Sequence, residues 1–128
     1  MTIATDQELF PEEQDNILKN EEKLSLSQYQ EKIELTWIEN EFDLQRILCG
    51  LSEESGEILG KFKKYFRGDY GFPKLRELAK KEIGDLFYYL AKLCNFFNIE
   101  IEDVLAENIN KLQDRKKRGT LKGSGDSR

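Results

Sequence analysis

The chain has 128 residues, 35% of them charged and 38% hydrophobic, which suits one soluble domain with a modest core. It contains no histidine, which excludes histidine-based zinc sites, the Glu-x-x-His iron sites of ferritin-like bundles and a histidine general base. The net charge of −5 is unevenly spread: residues 1–42 carry 11 acids and 3 bases, residues 43–128 carry 14 acids and 17 bases.

No apolar run reaches the length needed to cross a bilayer, and no signal-peptide pattern opens the chain. Cys49 and Cys94 sit in apolar helical surroundings and read as small core residues in a reducing compartment. A cytoplasmic protein with no membrane contact is the expectation.

Residues 1–24 form an acidic N-terminal extension with Pro11 and few apolar positions, expected to be loose or partly helical. A helical domain is expected over residues 25–118, and a glycine-rich C-terminal segment over 119–128, which by composition alone reads as a flexible tail. β-Branched runs are absent and prolines are scarce, so the fold class expected is all-α.

The first helix is predicted from about Leu26 to Asn40, capped by Ser25 or Ser27, with Tyr29, Ile33, Trp37 and Ile38 as its apolar stripe. Trp37 reads first as core filler. Its alternative role is stacking on a nucleobase at the mouth of a pocket.

The second helix is predicted from about Leu44 to Phe66, with Asp43 as its cap. Ile47, Leu51, Glu54, Ile58 and Phe62 follow one another at steps of three or four, so Glu54 falls on the stripe that should be apolar. Glu57 lies three residues on, which places it on the same face. Gly56 and Gly60 each cost about 1 kcal/mol relative to alanine inside a helix. Close approach of another backbone or a ligand would explain them. Lys61, one turn beyond Glu57, is placed to reach a phosphate.

After a loop over 68–72, Pro73 sits in the first turn of a third helix reaching about Phe97. Leu78, Glu82, Leu86, Leu90 and Leu93 make its stripe, with Asp85 and Tyr89 beside them, and Gly84 again suggests tight packing. Tyr89, one turn beyond Asp85, is either a core aromatic or a substrate contact. The fourth helix is predicted over about Ile101 to Arg118, with Val104, Leu105, Ile109 and Leu112 as its buried side. Asn108, Lys111 and Arg115 share one of its faces.

Two acidic pairs, Glu54/Glu57 and Glu82/Asp85, therefore fall on the core-facing sides of neighbouring helices. Unpaired buried carboxylates are expensive and repel one another. A divalent cation between the helices relieves both costs, and four carboxylates with no softer ligand suit Mg²⁺, or Mn²⁺. The basic remainder of residues 43–128 favours a polyanion such as a phosphate chain beside them. The run Arg115-Lys116-Lys117-Arg118 reads as a solvated helix face, so nucleic acid is not an expected partner.

Glu53-Glu54-Ser55-Gly56-Glu57, followed by Glu82-Ile83-Gly84-Asp85-Leu86-Phe87-Tyr88-Tyr89-Leu90, resembles the MazG-like all-α NTP pyrophosphohydrolases. The stretch from Gly50-Leu51 into the first acids is similar to the family, as is Asn108-x-x-Lys111-Leu112-x-x-Arg115 with the glycine-rich end. The resemblance implies a bundle of four to five helices assembled as a homodimer or tetramer. It implies that a nucleoside triphosphate and water give the monophosphate and pyrophosphate. It implies Glu54, Glu57, Glu82 and Asp85 as Mg²⁺ ligands, with Glu53 close by to orient a water; with no histidine in the chain, a carboxylate, Glu53 or Glu54, is the candidate base. It implies Tyr89 at the base or sugar pocket, Lys111 and Arg115 near the phosphates, and the glycine-rich end closing over substrate. The competing reading is a non-catalytic helical dimerisation protein with a basic C-terminal end, which leaves the inward acids unexplained.

Overall fold

The computed structural model describes residues 23–120 and 122–123. All but the last two residues of the expected acidic extension, and most of the glycine-rich end, lie outside these residues. Four helices follow in order: α1 (Leu26–Glu34), α2 (Asp43–Arg67), α3 (Phe72–Phe96) and α4 (Ile101–Lys117). No strand occurs among the described residues, and none of their helices is long and apolar enough to cross a membrane.

α2 and α3 form a long antiparallel hairpin, α1 lies across α3, and α4 packs principally on α1. Ile33, Ile47, Leu75, Ala79 and Ala91 are the buried apolar centre. The hairpin is set by its connection. Gly68 ends α2 in the left-handed region at φ 89°. There its N–H donates to the Tyr65 carbonyl (2.9 Å) and the Asp69 N–H to the Lys64 carbonyl (3.0 Å), satisfying two orphan acceptors. The Tyr70 hydroxyl then donates to the Lys61 carbonyl at 2.6 Å, pinning the loop to the helix it leaves. A Cβ at Gly68 would meet nothing within 4 Å, so the penalty for adding one is conformational. Gly68→Ala is expected to cost about 1 kcal/mol, read as a lower urea midpoint at unchanged slope.

The same pattern ends α3, where Asn98 takes φ 54°, its N–H donates to Asn95 and the Ile99 N–H donates to Cys94. Asn98 thus turns the chain into α4, as its position after the third apolar stripe suggests.

α1 is shorter than its periodicity predicts. Ser25 caps it with Gln28 in a reciprocal pair, Gln28 N–H to Ser25 Oγ (3.1 Å) and Ser25 N–H to Gln28 Oε1 (2.8 Å). The helix stops at Glu34, because the N–H groups of Leu35, Thr36 and Trp37 turn back to carbonyls three residues earlier. The Thr36 hydroxyl competes for the Ile33 carbonyl as well (2.8 Å). Leu35 and Ile38 consequently stand 87% and 80% exposed, and Ile38 leaves the predicted stripe. Asp43 opens the first turn of α2 rather than capping it; its carboxylate accepts from the Asn40 N–H at 3.0 Å.

Three other expectations are corrected. Gly56, Gly60 and Gly84 face open space, and a Cβ added at any of them would meet nothing within 4 Å, so none marks a close approach within the chain. Cys49 is exposed, not core. Val104, Leu105, Ile109 and Leu112 are 37–52% exposed, because α4 engages α1 and leaves this apolar side uncovered.

What joins α1, α3 and α4 is polar. Buried Gln30 donates from Nε2 to Asn95 Oδ1 (2.8 Å) and to the Ile99 carbonyl (2.9 Å), and its Oε1 accepts the N–H of Ile101, the first residue of α4. Asn95 Nδ2 donates to the Gln30 carbonyl (2.9 Å) and to Glu34 Oε1 (2.5 Å). Lys92, only 7% exposed, donates to Glu34 Oε2 at 2.5 Å. Every side chain of this set has a partner, which is the condition for a polar cluster to be stable under low dielectric.

A candidate metal centre between two long helices

The hairpin register sets Gly50 of α2 against Tyr89 of α3. One turn further along α2 comes Glu54, and one turn back along α3 comes Asp85. Glu54, Glu82 and Asp85 thereby converge: each offers a carboxylate oxygen, and these oxygens lie within 4.8 Å of one another. Glu54 and Glu82 are half-buried, Asp85 is exposed, and the trio opens towards solvent on the Asp85 side.

Burial pushes the Glu54 carboxyl above the usual range, and the charges of Asp85, Glu57, Glu53 and Glu82 push it the same way. Such crowding is what a hard cation relieves. Opposite ligands of Mg²⁺ at about 2.1 Å stand about 4.2 Å apart, so the trio is close to a ligating arrangement. The donors are all carboxylate oxygens, the set preferred by Mg²⁺ and Mn²⁺.

Glu57 stands outside the trio. Its side chain is 49% exposed and it pairs loosely with Lys61 (3.7 Å). Lys61 reaches across to α3, its Nζ lying 2.8 Å from Glu82 Oε1. That hydrogen bond holds the ammonium above its ordinary value. The lysine is thus engaged with an acid of the cluster. Glu53 is exposed, yet its charge is felt by both Glu54 and Tyr89.

Tyr89 is half-buried, and desolvation followed by the Glu54 charge raises its phenol. Its ring meets Trp37 edge-on at 6.4 Å and Tyr88 at 5.3 Å. Trp37 is further clasped by Arg46, whose Cζ lies 4.4 Å from the ring centroid, and by Lys92 at 4.9 Å. Arg46 is itself held by the Ile38 carbonyl (2.7 Å) and Asp43 (3.0 Å). The indole Nε1 is buried next to Asp43 but forms no well-shaped hydrogen bond. Trp37 therefore belongs to an aromatic group that continues from the acidic trio, with cations against its ring.

A cavity of about 870 Å³ lies beyond this aromatic group, walled by Gln30, Glu34, Asp43, Ile47, Lys92 and Asn95 among others. Ile47 and Lys92 are each seven residues, about 10 Å, from Glu54 and Asp85 along their helices. The trio, the aromatic group and the cavity thus succeed one another along the hairpin.

The fourth helix supplies the remaining predicted residues. Asn108 and Lys111 are exposed, whereas Arg115 is 4% exposed. Among the described residues α4 packs principally on α1 and does not lie along the acidic helices to a comparable extent.

Sequence reasoning missed Arg46, Lys92 and Glu34 around the tryptophan. Glu34 and Lys92 depend on partners about sixty residues apart, which no local pattern marks, and Arg46 comes to the ring through the turn between α1 and α2. Gly50 stood out in the sequence without a role of its own.

The profile of the MazG nucleotide pyrophosphohydrolase domain matches residues 42–120, the span that carries α2, α3 and α4 and all the clustered acids. The chain is also similar to the Gene 37 protein of Mycobacterium phage L5, at 40% identity over 87 residues, covering 66% of this chain and 76% of that protein. No solved structure matches it. From the matched span and the helices within it, the chain belongs to the MazG nucleotide pyrophosphohydrolase domain family.

Proposed function

We infer that the protein is a divalent-cation-dependent pyrophosphohydrolase of nucleoside triphosphates, with Mg²⁺ as the resident ion and Mn²⁺ able to replace it. The observation that carries this reading is the convergence of Glu54, Glu82 and Asp85 from two helices.

Glu54, Glu82 and Asp85 would hold the ion, with Glu57 joining from the rim by a change of rotamer. When bound, the ion supplies charge neutralisation at the phosphates and lowers the pKa of a coordinated water. Glu53, exposed beside Glu54, orients the attacking water and accepts its proton; Glu54 is the alternative base. The water oxygen bonds to the α-phosphorus, the bond from that phosphorus to the α–β bridging oxygen breaks, and the products are a nucleoside monophosphate and pyrophosphate. Tyr89 and Trp37 wall the nucleoside end. Lys61, Asn108, Lys111 and Arg115 serve the phosphate chain, the α4 residues after closure of the C-terminal segment. The uncovered apolar side of α4 supports assembly with further copies into a dimer or tetramer, and a cytoplasmic location agrees with such a substrate.

A panel of ribo- and deoxyribonucleoside triphosphates with Mg²⁺, scored for monophosphate and pyrophosphate, tests the reading. Equimolar release of the two products supports it. Orthophosphate release, or no turnover of any triphosphate, refutes it and favours the dimerisation protein to which the exposed side of α4 also points.

Lys61 supplies a sharper expectation. Its ammonium competes with a bound cation for Glu82. Lys61→Met should tighten Mg²⁺ binding several-fold by titration calorimetry, and an unchanged or weakened affinity would show that the lysine does not oppose the ion.

A further inference from the structure

Gly50 is the one crowded glycine of α2 and α3. It is buried, and a Cβ built on it would stand 2.2 Å from Tyr89 Cε1, 2.4 Å from Cζ and 2.5 Å from Cδ1. Those are distances no side chain tolerates, and the atoms belong to a stiff ring. Gly56, Gly60 and Gly84, by contrast, would meet nothing within 4 Å. Glycine is a poor helix former, and its presence at position 50 lets the phenol ring lie against the helix backbone.

That placement has two consequences. Tyr89 meets Trp37 edge-on at 87° and Tyr88 at 82°, which completes the aromatic group. It also keeps the phenol under the influence of Glu54, one turn along α2. Any side chain at position 50 would push the ring away from α2 and break both relations together.

We propose that Gly50 is a positioning residue that acts on nucleotide binding through Tyr89 alone, by admitting the ring between Trp37 and the acidic trio. The proposal rests on the function inferred above, but its tests separate the two.

Trp37 is the only tryptophan in the chain, so its fluorescence reports the aromatic group directly. Gly50→Ala should shift that emission without any nucleotide present. It should raise KM roughly tenfold while leaving kcat within about threefold, the split expected when a binding wall moves and the acids do not. In a Tyr89→Leu background the same substitution should change neither emission nor KM further, because a smaller, flexible side chain accommodates the Cβ. An additive loss in that background, or an unshifted emission in Gly50→Ala, overturns the proposal. Should Gly50→Ala alone fail to fold, the double variant decides: folding with the properties of Tyr89→Leu supports the mechanism, and misfolding there too overturns it. A wild-type protein that hydrolyses no triphosphate would remove the inferred function, and the emission comparison would still judge the Gly50–Tyr89 coupling.

Discussion

Glu54→Gln should abolish triphosphate hydrolysis and at the same time make the protein more stable in EDTA. The loss of turnover is expected to be on the order of 10³-fold or more, since a ligand and a candidate base go together. The gain in stability follows from the electrostatics of the trio. Burial and the neighbouring Asp85, Glu57, Glu53 and Glu82 hold the Glu54 carboxyl above its ordinary value of 4.5. A folded state that prefers the protonated form is favoured below that ordinary value and loses the advantage as pH rises through the raised one. At pH 8 without metal, the wild-type carboxylate is therefore a destabilising charge, which the neutral amide lacks. Melting temperatures in EDTA should differ by a few degrees at pH 8 in favour of Gln and converge below about pH 4. Saturating Mg²⁺ should invert the order at pH 8, raising the wild type and leaving the variant nearly unmoved. A variant that melts lower than wild type in EDTA at pH 8 would mean that Glu54 is stabilised by its surroundings rather than strained by them.

The second large effect is expected far from the acids, at Glu34. This carboxylate accepts from Lys92 Nζ and Asn95 Nδ2 and is the counter-charge of a lysine that is almost fully buried. Breaking a fully buried pair from one side typically costs about 3–5 kcal/mol. Glu34 is itself 40% exposed, so water screens the pair and a loss of about 1–3 kcal/mol is expected for Glu34→Gln. Lys92→Met alone should cost a comparable amount. The double variant should cost less than the two together, because the orphaned partner is what makes each single change expensive.

The pH dependence has the opposite sign to that at Glu54. Burial pushes the Glu34 carboxyl up, but the hydrogen bonds from Lys92 and Asn95 outweigh it and hold the group below its ordinary 4.5. Its contribution is present above that value and is lost as pH falls through the lowered one. Urea midpoints of wild type and Glu34→Gln should therefore differ at pH 7 and approach each other towards pH 3. A constant difference across that range would mean that the amide fails by packing rather than by charge.

The long helices were legible from the sequence because their apolar steps are regular. α2, α3 and α4 begin and end within about a residue of the apolar pattern, a margin inherent in helix ends. α1 was not, since its end is decided by Thr36 folding back on Ile33, a hydrogen-bond choice that periodicity does not encode. Acids on an apolar stripe pointed to Glu54 and Glu82, and the structure brings Asp85 to them. Spacing alone gave Glu57 the same standing as Glu54. The 49% exposure of Glu57 and its pairing with Lys61 distinguish it here. The apolar side of α4 looks identical in sequence whether it covers a core or awaits a partner. The polar set of Gln30, Glu34, Lys92 and Asn95 left no trace in any local pattern, because its partners come from three helices.

The most direct examination of the metal centre is anomalous scattering from crystals of the protein grown with Mn²⁺. The expected map places an ion between α2 and α3, within coordinating distance of carboxylate oxygens from Glu54, Glu82 and Asp85. Manganese bound elsewhere, with those three side chains turned to bulk water, would contradict it.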